Sequence, residues 1–240
     1  MLGNKKVLAI VPARGGSKGL PGKNLKNFRG FSLVANVGNL IKDFLIIDRA
    51  IVSTDSLEIA EEAKSSGLHV PFFRPKDLSG DLVSDIEVLK HALIEIEAID
   101  KIVYDIVLML QPTSPLRNLD EIKNCLDLFV ENSADSVWTV SKTDKKYHPL
   151  KQLKLDYENK MSLYDEKGSK IIARQQLNDV YHRNGAVYVM ARDLILNEAS
   201  LIGSKSFAYV SSIPHISIDT LEDLKLAENM SFKIDKISKT

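Results

Sequence analysis

Short β-branched runs alternate with amphipathic segments through the first two thirds of this chain, and few folds accommodate that order. Residues 6–12, 50–53, 70–73, 106–111 and 136–140 read as strands, and 33–42, 57–66, 84–99 and 119–131 read as helices. Within 84–99, Ile86, Leu89, Leu93, Ile96 and Ile99 recur at helical spacing on one face. The alternation predicts an α/β fold with a mostly parallel, Rossmann-like sheet and helices on both faces. In such sheets ligands bind outside the carboxyl ends of the strands, so the residues after each strand carry the functional information.

The pattern breaks at residues 143–178, a polar, lysine-rich stretch in which HPLKQLKL and NKMSLYDEKGSKI suggest an extended arm or hairpin. Alternation resumes at 185–191. A strand is expected at 211–218, a helix near 221–230, and then a Lys/Ser tail that frays. With no internal repeat, residues 1–240 are expected to form a single domain with an inserted arm.

Composition narrows the function classes. Lys+Arg and Asp+Glu number 32 each, so no global basic field exists to hold a nucleic acid polymer. The apolar run after Lys5 and Lys6 ends at Pro12-Ala13-Arg14, far short of the ~20 residues of a membrane span. It reads as a buried strand rather than a leader, and a cytoplasmic protein without membrane contact is expected. Cys125 is the sole cysteine; it lies at helical spacing with Ile122, Leu126 and Phe129 and is expected in the core. The histidines lack the spacing of a transition-metal site. Trp138 is expected in a buried strand, and Glu58, Glu61 and Glu62 on a solvated helix face.

After the first strand comes Arg14-Gly15-Gly16-Ser17-Lys18-Gly19-Leu20-Pro21-Gly22-Lys23-Asn24. Glycines let backbone amides turn toward an anion, and Arg14, Lys18 and Lys23 add charge-assisted hydrogen bonds to phosphate oxygens. A flexible solvated loop is the alternative; the position directly after a buried strand favours phosphate. The loop departs from Walker A, because Asn24 stands where a Ser or Thr would ligate magnesium, and it lacks GxGxxG spacing.

PARGGSKGLPGKN resembles the opening motif of the acylneuraminate cytidylyltransferases, the CMP-sialic acid synthetases. Further matches follow in order: Ser53-Thr54-Asp55, Arg74-Pro75, the string LQPTSPLR at 110–117, Arg174-Gln175-Gln176, Asn184-Gly185-Ala186 and Ile218-Asp219-Thr220. The resemblance spans nearly the whole chain. It implies joining of CTP to a nine-carbon α-keto acid sugar of the sialic acid kind, such as N-acetylneuraminic, legionaminic or pseudaminic acid, with release of pyrophosphate. Enzymes acting on the eight-carbon acid KDO are less similar, since their loop typically reads SxRLPGKP. A nucleotide-binding homologue with reduced catalysis is a third reading, suggested only by Ser217.

By similarity, Arg14, Gly15, Ser17, Lys18 and Lys23 hold the triphosphate, with Arg14 and Lys18 stabilising the departing pyrophosphate. Asn24 and Arg74 are implied nucleotide contacts. Asp85 stands where relatives often carry a hydroxyl residue, and reads either as a nucleotide contact or as a surface ion pair. Gln111, Thr113 and Ser114 are expected against sugar hydroxyls and an acyl amide, with turn formation and capping of the next helix as a compatible role. Arg117 is expected in solvent. The family's arm builds a homodimer and reaches the partner's site, which gives Lys151 and Arg174 a role toward the sugar and its carboxylate; Asn184 is a further sugar-site residue. Relatives commonly pair two aspartates as magnesium ligands near the C-terminus. Here Ser217 replaces the first and Asp219 matches the second, leaving Asp219 as the metal ligand for magnesium or manganese; the alternative is that Ser217 only packs beside the strand and another acid, Asp55 or Asp81, serves instead. Some relatives carry a fused phosphatase domain, which a chain ending at Thr240 is expected to lack.

Overall fold

The computed structural model describes residues 3–237. In chain order its strands are β1 (Val7–Pro12), β2 (Asn27–Phe28), β3 (Phe31–Ser32), β4 (Arg49–Ser53), β5 (Ile106–Met109), β6 (Ser136–Lys142), β7 (Leu153–Leu155), β8 (Met161–Leu163), β9 (Tyr181–Ala191) and β10 (Ser206–Val210). The helices are α1 (Leu33–Ile41), α2 (Leu57–Ser65), α3 (Asp85–Asp100), α4 (Leu119–Glu131) and α5 (Leu221–Ile237). Among the described residues the central sheet has six strands in the order β10-β6-β9-β5-β1-β4. β1 pairs in parallel with β4 and β5, and β10 with β6, whereas β9 runs antiparallel between β5 and β6. The expected mostly parallel sheet is therefore present.

β1 shows why the sheet is buried on both sides. Val7, Ala9 and Val11 point into one core and Leu8 and Ile10 into the other, all fully buried. A strand covered on both faces needs a continuous apolar run, and VLAIVP supplies it. On the first face pack Val34 and Val37 of α1, Ile59 and Ala63 of α2, and Ile122, Cys125 and Phe129 of α4. The second is covered by Leu89, Leu93 and Ile96 of α3, with Trp138 packed at its border. Side-chain caps start the helices: Ser32, Ser56 and Asn118 accept from Ala35, Ile59 and Glu121 amides, and Ser84 with Glu87 forms a capping box. No helix among the described residues is long and apolar enough to cross a membrane.

Several expectations need correction. Residues 70–73 form no strand; only His69 makes an isolated bridge to Ile51. Pro71 has no N–H for a ladder. Residues 211–218 are likewise irregular around Pro214, and the strand lies upstream as β10. Ile99 turns away from the core and is half exposed. α5 continues to Ile237, and the remainder of the expected tail, 238–240, lies outside the described residues.

The antiparallel β6/β9 pair ends at Lys142 opposite Tyr181, so residues 143–180 leave the sheet between these two strands. They hold the β7/β8 hairpin and short helical turns. Leu153, Leu155, Tyr157, Met161, Tyr164 and Ile172 are exposed there. A third, smaller core joins Leu20 of the first loop, Leu33, Leu116, Ile218 and Ala227, which draws the chain after β1 toward the chain before α5.

Candidate active site

The carboxyl ends of β1 and β5 open on one cleft of about 440 Å³. The loop after β1 is tied down from below: Ala13 donates from its amide to Ser53 O at 3.0 Å and Gly15 to Asp55 Oδ1 at 2.8 Å. Asn24 is buried, and its Nδ2 donates to Arg14 O at 2.9 Å, closing the loop on itself. The Gly15 amide is thus engaged by Asp55, and Gly15 lies against Ser56 rather than lining the cleft. The cations face the cleft instead. Arg14 Nη1 lies 2.7 Å from Asp81 Oδ1, Lys18 pairs with the other oxygen of Asp81, and Lys23 Nζ lies 2.7 Å from Asp219 Oδ1. These contacts hold the Asp81 carboxyl below the usual carboxylate range.

Arg74 is buried at the end of β4, where its guanidinium donates to Ser53 Oγ at 3.1 Å and to Ser53 O. Burial pushes its pKa down, partly offset by Asp55. Asp85 opens α3 in the cleft wall, so it is not a surface residue. Burial raises its pKa against the pull of Arg183 and Arg74. Gln111 Nε2 donates to Asp85 Oδ2 at 3.4 Å.

The string LQPTSPLR divides between lining and scaffolding. Gln111 and Thr113 line the cleft. Ser114 is fully buried and donates to Asn184 O at 3.0 Å, away from the cleft; it does not cap α4, which Asn118 does. Asn184 is also spent inside the fold: its Oδ1 accepts from Thr139 Oγ1 at 2.6 Å and its Nδ2 donates to Ser141 Oγ at 3.1 Å. Gly185 between them is at φ 75°, where a Cβ would stand 2.7 Å from Ser114 Oγ and 2.8 Å from Gln111 Oε1, so only glycine fits.

Arg117, expected in solvent, is buried. It donates through Nε to Ala186 O and through Nη2 to Gln111 O at 2.6 Å, joining the end of β5 to β9, and burial pushes its pKa down to about 10. Nothing in a lone Arg before a helix marks this. The segment bearing Ser217 and Asp219 is pinned by Ile218, whose amide donates to Thr113 O at 2.9 Å, and by His215, whose Nε2 lies 2.8 Å from buried Glu121 Oε1. Burial would raise the Glu121 pKa, but His215 and Ser211 outweigh it and hold it low. Gly19 approaches so closely that a Cβ would meet Asp219 O at 3.0 Å.

Arg14, Ser17, Lys18, Lys23, Asn24, Arg74, Asp85, Gln111, Thr113 and Asp219 are therefore brought together, with Ser217 beside Asp219. Lys151 and Arg174 are exposed in short turns of the arm and do not line the cleft. Sequence reading weighed Asp81 only as an alternative metal ligand and missed it as the acid facing Arg14 and Lys18; its only signal for that was an aspartate in a glycine turn ahead of a capped helix.

A parallel sheet with a cation-rich loop after its first strand and a mixed polar cleft is an arrangement for a phosphorylated nucleotide. Comparison with known proteins agrees. The chain is 34% identical over 227 residues to the pseudaminic acid cytidylyltransferase of Campylobacter jejuni, covering 93% of this chain and 95% of that one. It is 31% identical over 230 residues to the CMP-N,N'-diacetyllegionaminic acid synthase of Legionella pneumophila, covering 94% and 96%. A solved structure of CMP:2-keto-3-deoxy-manno-octonic acid synthetase complexed with CTP shares the fold, with a TM-score of 0.68 at 17% identity over 95% of this chain and 99% of that one. The family model described as Cytidylyltransferase matches residues 8–237, from the first residues of β1 to the end of α5, so the chain belongs to the cytidylyltransferase family.

Proposed function

We propose that this cytidylyltransferase transfers CMP from CTP to the anomeric hydroxyl of a nine-carbon α-keto acid sugar, with pseudaminic and legionaminic acids ahead of N-acetylneuraminic acid as substrates. The observation that carries the reading is the cleft itself. Three cations from one loop share it with the uncharged donors and acceptors of Gln111 and Thr113, as an anionic nucleotide beside a polyhydroxylated sugar requires. The similarity, at 34% and 31% identity, to two enzymes named for such sugars supports the substrate class.

In this reading the anomeric oxygen attacks the α-phosphorus in line. The bond from that phosphorus to the bridging oxygen breaks, pyrophosphate leaves, and the hydroxyl proton passes to solvent. The protein has little covalent work to do; positioning and charge neutralisation lower the barrier. Arg14 and Lys18 take the charge that grows on the leaving pyrophosphate, and Lys23 holds the chain of phosphates. Buried Arg74 and half-buried Asp85 shape the nucleotide side, while Gln111 and Thr113 orient the sugar.

Asp219 is two-thirds exposed at the cleft and offers an oxygen ligand, which suits a magnesium or manganese ion that keeps waters and phosphate oxygens in its shell. Such an ion, when bound, neutralises triphosphate charge. The exposed apolar side chains of the β7/β8 hairpin support a homodimer in which the arm brings Lys151 and Arg174 to the other copy's sugar carboxylate.

Pyrophosphate release from CTP, measured with pseudaminic, legionaminic, N-acetylneuraminic and KDO acids, tests the proposal. Release with one or more nine-carbon acids is expected. Release with KDO alone, or with none, overturns it.

A further inference from the structure

Asp81 has no place in the proposed chemistry, yet it makes the most direct contacts in the cleft. One of its carboxylate oxygens lies 2.7 Å from Arg14 Nη1 and the other pairs with Lys18 Nζ. These are the two cations assigned above to the leaving pyrophosphate, so the inference rests on that reading. Two oxygens on one centre spanning a guanidinium and an ammonium is also what two non-bridging oxygens of a phosphate offer.

The backbone around Asp81 is suited to leaving. Upstream, the Ser79 amide donates to Lys76 O at 3.0 Å and the Ser79 hydroxyl to Pro75 O at 3.0 Å. Downstream, the Ser84–Glu87 capping box fixes the start of α3. Residues 80–83 between these anchors close a single turn, Val83 N to Gly80 O at 3.4 Å, and Leu82 at its tip is 99% exposed. Moving this turn uncovers no core, because the apolar contacts of α3 begin beyond the cap.

We propose that Asp81 is a built-in competitor for the polyphosphate: its carboxylate holds Arg14 and Lys18, an entering pyrophosphate moiety displaces it, and the turn at 80–83 swings aside and returns. Because the incoming anion must outcompete a carboxylate already in place, a pyrophosphate group with several charges succeeds where a singly charged group is weakly held. The returning carboxylate also re-pairs the cations as pyrophosphate departs, which favours product release over tight retention.

The test is calorimetric titration of pyrophosphate into the full chain and its variants. Asp81→Asn keeps the side-chain shape and removes the charge, so pyrophosphate should bind about three- to ten-fold tighter, the scale expected from removing two partly exposed ion pairs. Lys18→Ala should bind it more weakly. If Lys18→Ala weakens binding while Asp81→Asn leaves it unchanged or weaker, the competitor role is wrong and the phosphate reading stands. If neither Lys18→Ala nor Arg14→Ala weakens binding, the phosphate reading fails and takes this proposal with it. Asp81→Ser serves as a second neutral variant. Loss of folding in both neutral variants, read by thermal melting, would make Asp81 a structural residue and also overturn the proposal.

Discussion

Lys23 Nζ and Asp219 Oδ1 meet at 2.7 Å although 196 residues separate them in the chain. Leu20 and Ile218 pack in one small core beneath the pair, and Gly19 passes against the Asp219 carbonyl. Apolar packing beneath the ion pair thus brings the first loop to the C-terminal motif. The pair places the proposed metal ligand beside a proposed phosphate ligand, so Asp219 would hold a divalent cation that would neutralise phosphate charge.

Asp219→Ala should therefore abolish turnover while leaving the fold intact, and Ser217→Asp should lower the magnesium concentration that gives half the maximal rate. Rates measured across a magnesium titration check both. Unchanged rate and magnesium dependence in folded Asp219→Ala would remove Asp219 from metal binding.

Arg117 is buried and joins the end of β5 to β9 through two carbonyls. Arg117→Met keeps the length of the chain but takes the Arg117 donor from Ala186 O and leaves Gln111 O with the Ser114 amide at 3.3 Å, at a cost of about 2–4 kcal/mol. Melting should fall by roughly 5–12 °C for a domain of this size. A calorimetric scan showing no drop would mean that other donors satisfy both carbonyls.

Burial raises the Asp85 pKa, so the ionised carboxylate costs the folded state free energy at neutral pH. The sign follows directly: a group whose folded pKa lies above its unfolded value of 3.8 supports stability below that value and loses the contribution as pH rises through the folded one. Asp85→Asn should thus be more stable than the parent at pH 7, with the gap closing as pH falls toward 3.8. Melting curves across pH 4 to 8 read the difference; a variant less stable throughout would show that Arg74 and Arg183 need the negative charge.

Lys18→Ala removes the contact proposed to the leaving group and should cost about 10²–10³ in turnover. Mixing it with Arg174→Ala tests where the arm acts. If each site takes Lys18 from one copy and Arg174 from the other, each mixed dimer retains one complete site, and an equal mixture recovers about a quarter of the parent rate. No recovery in verified mixed dimers would place both residues in one chain's site.

Much of this molecule is written locally in its sequence. Val7–Val11 is buried on both faces because its run is apolar throughout, and Ser32, Ser56, Ser84 and Asn118 start helices through bonds made within one turn. The loop from Arg14 to Asn24 shows its cations and glycines openly, and its place after a buried strand directs them to a cleft. What the sequence alone does not determine are the partners of polar groups across long separations. Ser114 and Asn184 read as sugar ligands until the fold turns them toward each other, and Arg117 reads as solvated until β9 closes over it. β9 itself runs antiparallel within an otherwise parallel set, since strand direction depends on where the chain re-enters the sheet after the arm. Asp81 is one more aspartate in a turn until the tertiary structure sets it across from Arg14 and Lys18. Local patterns follow from neighbours along the chain, whereas the identity of a charge's partner follows from packing, which only the folded molecule brings about.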